Sequence, residues 1–166
     1  KGLGIPVVFY LQNGLYSRAE TFSDVTMILV PSVFLQDFYA RRLGVKSRVL
    51  YPIFSLEKCR IGRNSPRFVT FFNPEPAKGG TLFFMLARMA GNSLPEAKFL
   101  LVEGRWKQAD LEKAGISTSE YPNVTVVPYQ PDVRIIYAIT RVLLYPSFWV
   151  EAFGRMVVEA QLNGIP

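Results

Sequence analysis

Short apolar runs alternate with stretches at helical spacing along this chain, and that alternation constrains the fold more than any other feature. Residues 6–11 (PVVFYL), 24–30 (DVTMILV) and 47–51 have the length and apolarity of buried strands. Between the second and third, Ser32 is an N-cap candidate behind Pro31. The helix it opens carries Phe34 with Phe38, and Leu35 with Tyr39 and Leu43, and Gly44 stops it. Residues 55–66 (SLEKCRIGRNSP) break the pattern. They are basic, polar and aperiodic, and read as a linker at a domain boundary.

The pattern then restarts. Strands are expected at 67–72, 98–102, 123–127 and 141–145. Asn73-Pro74-Glu75-Pro76 cannot extend the first of these, because proline donates nothing to a ladder. Helices are expected after Gly79-Gly80, with Leu82, Met85, Leu86 and Met89 on one face, and at 108–114 and about 154–162. The aromatic strip Phe68, Phe71, Phe72, Phe83 and Phe84 is expected in the core. A helical turn is expected at 133–138. Strand–helix alternation implies parallel sheets with right-handed crossovers. The fold class is therefore α/β. Residues 1–54 form one unit, 55–66 the linker and 67–166 a second unit.

Composition narrows the chemistry. The 166 residues are 49% hydrophobic and 19% charged, a globular balance too short for two complete Rossmann-type domains. There is no histidine, so Ser–His and Cys–His catalytic pairs and His-based metal sites are excluded within the chain. One cysteine, Cys59, excludes an internal disulfide and fits a reducing, cytoplasmic setting. The net charge of +6 is spread out and reads mostly as solvated surface. No nucleic-acid-binding motif accompanies it, so no nucleic-acid partner is expected. No apolar run reaches the ~20 residues that span a bilayer.

The chemistry concentrates near the C-terminal end. The strand at 141–145 runs into Pro146-Ser147-Phe148-Trp149-Val150-Glu151-Ala152-Phe153-Gly154 and then a helix. In open α/β sheets ligands sit beyond the carboxyl ends of strands. A helix start with free N–H groups is an anion site, and Gly154 lets a phosphate come close to the backbone. Glu159 lies five residues on, about 7.5 Å along a helix, within reach of a ribose when the phosphates are at the helix start. Glu151, before the helix, would face the group beyond the phosphates.

With those residues in hand, the segment from Glu151 to Ala160, followed by Gly164-Ile165-Pro166, resembles the Glu-x-x-x-x-x-x-x-Glu signature of retaining GT-B glycosyltransferases, in particular glycosyltransferase family 4. Phe72-Asn73-Pro74-Glu75-Pro76-Ala77-Lys78-Gly79 resembles the first loop of that family's donor domain. Leu100-Leu101-Val102-Glu103-Gly104 resembles its Val-Gly-x-Gly turn. Val30-Pro31-Ser32 and Val49-Leu50-Tyr51-Pro52 look like the end of its first domain.

The resemblance implies Rossmann-like parallel sheets of a GT-B enzyme, here incomplete. It implies transfer of a hexosyl group from a UDP- or GDP-linked sugar to a glycan or lipid-linked acceptor, with retention of configuration. Glu151 would be the catalytic residue that contacts the donor sugar. Glu159 would bind the ribose, and Lys78, Arg155 and the Phe153–Gly154 backbone the diphosphate, with Asn73 in the donor loop. Fixed cations and N–H groups would stabilise the leaving diphosphate, so neither metal nor cofactor is expected. One departure stands out: Phe71-Phe72-Asn73 occupies the place where the family usually has Gly-Arg, and Arg105 or Arg155 is the candidate substitute for that arginine.

The chain begins at Lys1 and stops at Gly164-Ile165-Pro166, where another buried strand is expected. It reads as about half of a full enzyme, without transfer activity alone and with unpaired sheet edges that favour self-association. Attachment at the inner face of a membrane is a further expectation. The alternative is a non-catalytic nucleotide-binding or interaction module on the same sheet.

Overall fold

A computed structural model describes residues 4–166, which divide into two units: Lys1–Ile53 with Val150–Gly154, and Phe54–Trp149 with Arg155–Pro166.

In the first unit, β1 (Val8–Tyr10), β2 (Met27–Val30) and β3 (Arg48–Val49) form a parallel sheet in the order β1-β2-β3. Helix α1 (Val33–Leu43) connects β2 to β3. Its ends follow the sequence reading. The Ser32 hydroxyl accepts from the Leu35 N–H at 3.1 Å, and Gly44, at φ 66°, closes the last turn through its N–H to the Ala40 carbonyl. Leu11, Val30, Leu35 and Tyr39 are fully buried in its core. All three strands are shorter than their apolar runs, because ladder pairing spans only 8–10, 27–30 and 48–49.

The second unit carries β4 (Phe68–Phe72), α3 (Gly80–Ser93), β5 (Lys98–Val102), α4 (Gln108–Lys113), β6 (Val124–Val127), α5 (Val133–Tyr137), β7 (Thr140–Leu143) and α6 (Arg155–Leu162). Its four strands are parallel in the order β6-β5-β4-β7. Central β5 is buried from Phe99 to Val102, as a strand covered on both faces must be. The chain builds outward from β4 through β5 to β6, then returns to place β7 on the other side of β4. The strand order therefore reverses between β4 and β7, which is where open α/β sheets bind ligands.

Two expectations need correction here. The face of α3 that carries Leu82, Met85, Leu86 and Met89 is only partly covered, with Leu86 packed against the core. The helix's core face is Gly80, Phe83, Phe84 and Ala87, while Met85 and Met89 are 57% and 65% exposed. Both stripes have helical spacing. The aromatic one wins because Phe83 stacks on Phe71 and meets Phe99 edge-on, joining helix and sheet through rings. Residues 55–66 are not an aperiodic tether either. They contain a one-turn helix, α2 (Leu56–Cys59), too short to leave a periodic signature. Asn163 donates to the Cys59 carbonyl at 2.8 Å and accepts from the Ile61 N–H at 2.9 Å, and the Ser65 N–H donates to Ala138. The segment is thereby fastened to the second unit. Among the described residues, no helix is long and apolar enough to cross a membrane.

Candidate functional site

The loops leaving β4, β5 and β7 are joined by short contacts at the carboxyl end of the second sheet. Asn73 ends β4 with φ 58°, the one positive φ among the described non-glycine residues. Asparagine tolerates this left-handed conformation better than most residues. Its N–H donates to the Val102 carbonyl at 2.9 Å, and its side-chain oxygen accepts from the Trp106 N–H at 3.2 Å. A side chain on Gly104 would strike the Asn73 side chain. The amide of Asn73, expected to face a donor, thus binds the β5 exit loop.

The rest of the β4–α3 loop meets the exit from β7. Pro76–Lys78 makes a short turn that Gly79, at φ 94°, ends. The Phe148 N–H donates to the Ala77 carbonyl at 3.0 Å. Lys78 Nζ lies 5.8 Å from the centre of the Trp149 ring, a cation–π arrangement. Trp149 is 38% exposed and stands beside the lysine.

Gly154 has φ 70°, and α6 starts at Arg155 directly after it. Glu159 sits on α6 with only 12% of its side chain exposed. Its Oε2 accepts from the Tyr137 hydroxyl at 3.0 Å, and its Oε1 accepts from Arg155 Nη2 at 3.4 Å. Arg155 also lies over the Phe54 ring at 5.6 Å. Burial, followed by the neighbouring Glu159 charge, pushes the Tyr137 phenol well above the ordinary phenol value. Tyr137 was missed in the sequence. It lies on a five-residue helix, where no spacing separates a core tyrosine from one that serves a carboxylate.

Glu151 and Phe153 are half-buried in the Val150–Gly154 segment, which groups with the first unit. There Val150 and Ala152 pack on the first core, the Ser32 hydroxyl donates to the Ala152 carbonyl, and Phe153 tilts against Tyr51. Arg105 is exposed on the β5 exit loop. Of the sequence-derived residues, the second unit therefore holds Asn73, Lys78, Arg155 and Glu159, while Glu151, Phe153 and Gly154 group with the first.

A parallel α/β sheet with a lysine-bearing loop at its reversal point and a largely buried glutamate on its last helix defines a Rossmann-like domain. Residues 64–166 match the family model described as Glycosyl transferases group 1, and the chain belongs to that family. No curated protein sequence matches it.

Several solved structures are similar. Anabaena Alr3699/HepE in complex with UDP and glucose superposes with a TM-score of 0.74 at 20% identity, over 97% of this chain and 51% of that one. The pneumococcal O-GlcNAc transferase GtfA in complex with UDP and GlcNAc gives 0.68 at 15% identity, over 97% of this chain and 36% of that one. TarM gives 0.71 at 14% identity, over 89% of this chain and 30% of that one. At these identities the likeness is one of fold, the Rossmann-like architecture of GT-B glycosyltransferases. The chain spans between 30% and 51% of the length of these three structures.

Proposed function

We propose that the chain belongs to the donor side of an enzyme that transfers a hexosyl group from a UDP- or GDP-linked sugar to a glycan or lipid-linked acceptor, with retention of configuration. The observation that carries this reading is the largely buried Glu159 carboxylate on α6, within the stretch that matches the family. Solved relatives that hold UDP with glucose or GlcNAc support the choice of donor class.

In this proposal Glu159 accepts hydrogen bonds from the ribose. Lys78, Arg155 and the N–H groups around Phe153 and Gly154 stabilise the charge that grows on the leaving diphosphate, and no metal is required for that. Asn73 serves the donor indirectly, by fixing the loop that carries Lys78. Glu151 contacts the donor sugar as the catalytic carboxylate.

Calorimetric titration with UDP, GDP and their sugars tests the reading. One nucleotide should bind, and Glu159→Ala should weaken it by about tenfold or more, the loss expected for a hydrogen bond to a charged group. An unchanged affinity in Glu159→Ala would remove the donor reading and leave the non-catalytic module.

A further inference from the structure

The two oxygens of the Glu159 carboxylate have unlike surroundings. Oε2 is held at 3.0 Å by the hydroxyl of Tyr137, a residue with no solvent exposure. Oε1 is met at 3.4 Å by Arg155, whose side chain is 68% exposed. One end of the carboxylate is therefore tied to the core, and the other is covered by a cation that water can replace.

The position of the Tyr137 hydroxyl is itself fixed. The ring lies 6.0 Å from that of Phe72 and packs in a cluster with Ala160 and Ile165. Asp132 caps the helix that carries it, accepting from the Arg134 N–H at 3.1 Å. The hydroxyl has one proton. Its other acceptor, the Met156 carbonyl, is at 3.4 Å, so the shorter bond to the charged oxygen takes the proton. A glutamate otherwise samples several rotamers, and ordering it on ligand binding costs affinity.

We propose that Tyr137 is a positioning residue for donor binding: its buried hydroxyl anchors Glu159 Oε2 and presents Oε1 to the ribose 2′-hydroxyl once Arg155 moves aside. The inference rests on the reading of Glu159 as the ribose ligand, and goes beyond it by naming what aims the carboxylate and which oxygen it offers.

The test is calorimetry on the full chain with UDP and 2′-deoxy-UDP as probes. Tyr137→Phe removes one oxygen without opening a cavity. It should weaken UDP by about tenfold and 2′-deoxy-UDP by much less, since only the former has the hydroxyl to be read. Equal weakening of both probes in a folded variant would mean that Tyr137 supports only structure, and would overturn the proposal. So would an unchanged UDP affinity.

Glu159→Gln gives a second test that spares the core. If Tyr137 dictates orientation, its hydroxyl captures the amide oxygen and turns the NH2 outward, so the ribose meets a donor in place of an acceptor. A ribose hydroxyl can accept from that NH2, so discrimination between UDP and 2′-deoxy-UDP should persist in Glu159→Gln and fall when Tyr137→Phe is added. Unchanged discrimination on adding Tyr137→Phe would overturn the proposal while leaving the donor reading intact. That reading fails separately, and takes the proposal with it, if Glu159→Ala binds UDP as the parent chain does.

Discussion

A side chain at Gly79 would collide with the carbonyl oxygen of Pro146, so the loop leaving β4 meets the strand exit from β7 through bare backbone. The same glycine adopts φ 94°, where L-residues are strained. Gly79→Ala therefore faces two penalties. Gly44→Ala faces one, because Gly44 has φ 66° but nothing within 4 Å of a built Cβ. Denaturant unfolding should show Gly44→Ala costing ~1 kcal/mol and Gly79→Ala at least twice that. Equal losses would mean that the contact with Pro146 is not close.

The buried hydroxyls of Thr70 and Thr140 lie 2.8 Å apart across β4 and β7. Thr140 spends its proton on the Ile136 carbonyl, also at 2.8 Å, so Thr70 must donate to Thr140. That polarity makes the pair asymmetric. Thr70→Val removes a donor and leaves the Thr140 proton satisfied, at a cost of ~1 kcal/mol. Thr140→Val strands the Thr70 proton in the core and should cost ~2 kcal/mol, although Ile136 keeps its bond from the Ile139 N–H. The double variant, with neither hydroxyl, should be more stable than Thr140→Val alone. Strict additivity in urea unfolding would disprove the assigned direction.

Much of this architecture was legible in the residues, and the reasons are local. Ser32 and Gly44 marked the ends of α1 because capping is decided within one turn. The KFLLV run gave β5 because a strand covered on both faces is apolar throughout. What failed was decided at long range. The core place of Phe83 and Phe84 was legible in their aromatic character, but how far the stripe of Leu82, Met85, Leu86 and Met89 is covered depended on rings in β4 and β5, beyond the reach of periodicity. Residues 55–66 gain their order from Asn163, about a hundred positions away. Glu159 could be singled out by its distance from Gly154, but Tyr137, which holds it, comes from another element twenty-two residues earlier. The reversal of strand order at β4 that places the Lys78 loop beside the β7 exit is likewise a property of topology, and no residue announces it.

Buried phenols make stability depend on alkaline pH. Burial raises both Tyr39 and Tyr137 above the ordinary value of 10.0, and for Tyr137 the Glu159 charge adds to it. Below pH 10 both folded and unfolded chains keep these protons, and the contribution to stability is fully present. As pH rises past 10 the unfolded chain releases them while the folded chain holds on, so stability falls. The slope for one such group is at most about 1.4 kcal/mol per pH unit. Urea midpoints measured from pH 8 to 11 should decline, and Tyr137→Phe should flatten the decline. An equally steep fall in that variant would show that other groups cause it.

Lys78 offers the sharpest separation of electrostatics from nucleoside recognition. It ends a short turn whose neighbours are fixed by the bond from the Phe148 N–H to Ala77, and its ammonium stands over Trp149 at 5.8 Å. An ammonium held in this way acts as a point charge toward phosphate and has nothing to read on a base or ribose. Lys78→Gln should therefore weaken UDP by about tenfold, leave uridine unaffected, and make the remaining UDP affinity less sensitive to salt. Trp149→Leu should produce a smaller loss in the same direction, because it removes only the ring that orients the charge. The measurement is competition calorimetry at two ionic strengths. Equal weakening of UDP and uridine by Lys78→Gln would indicate a collapsed loop rather than a missing charge. No weakening of either would take Lys78 out of the donor site.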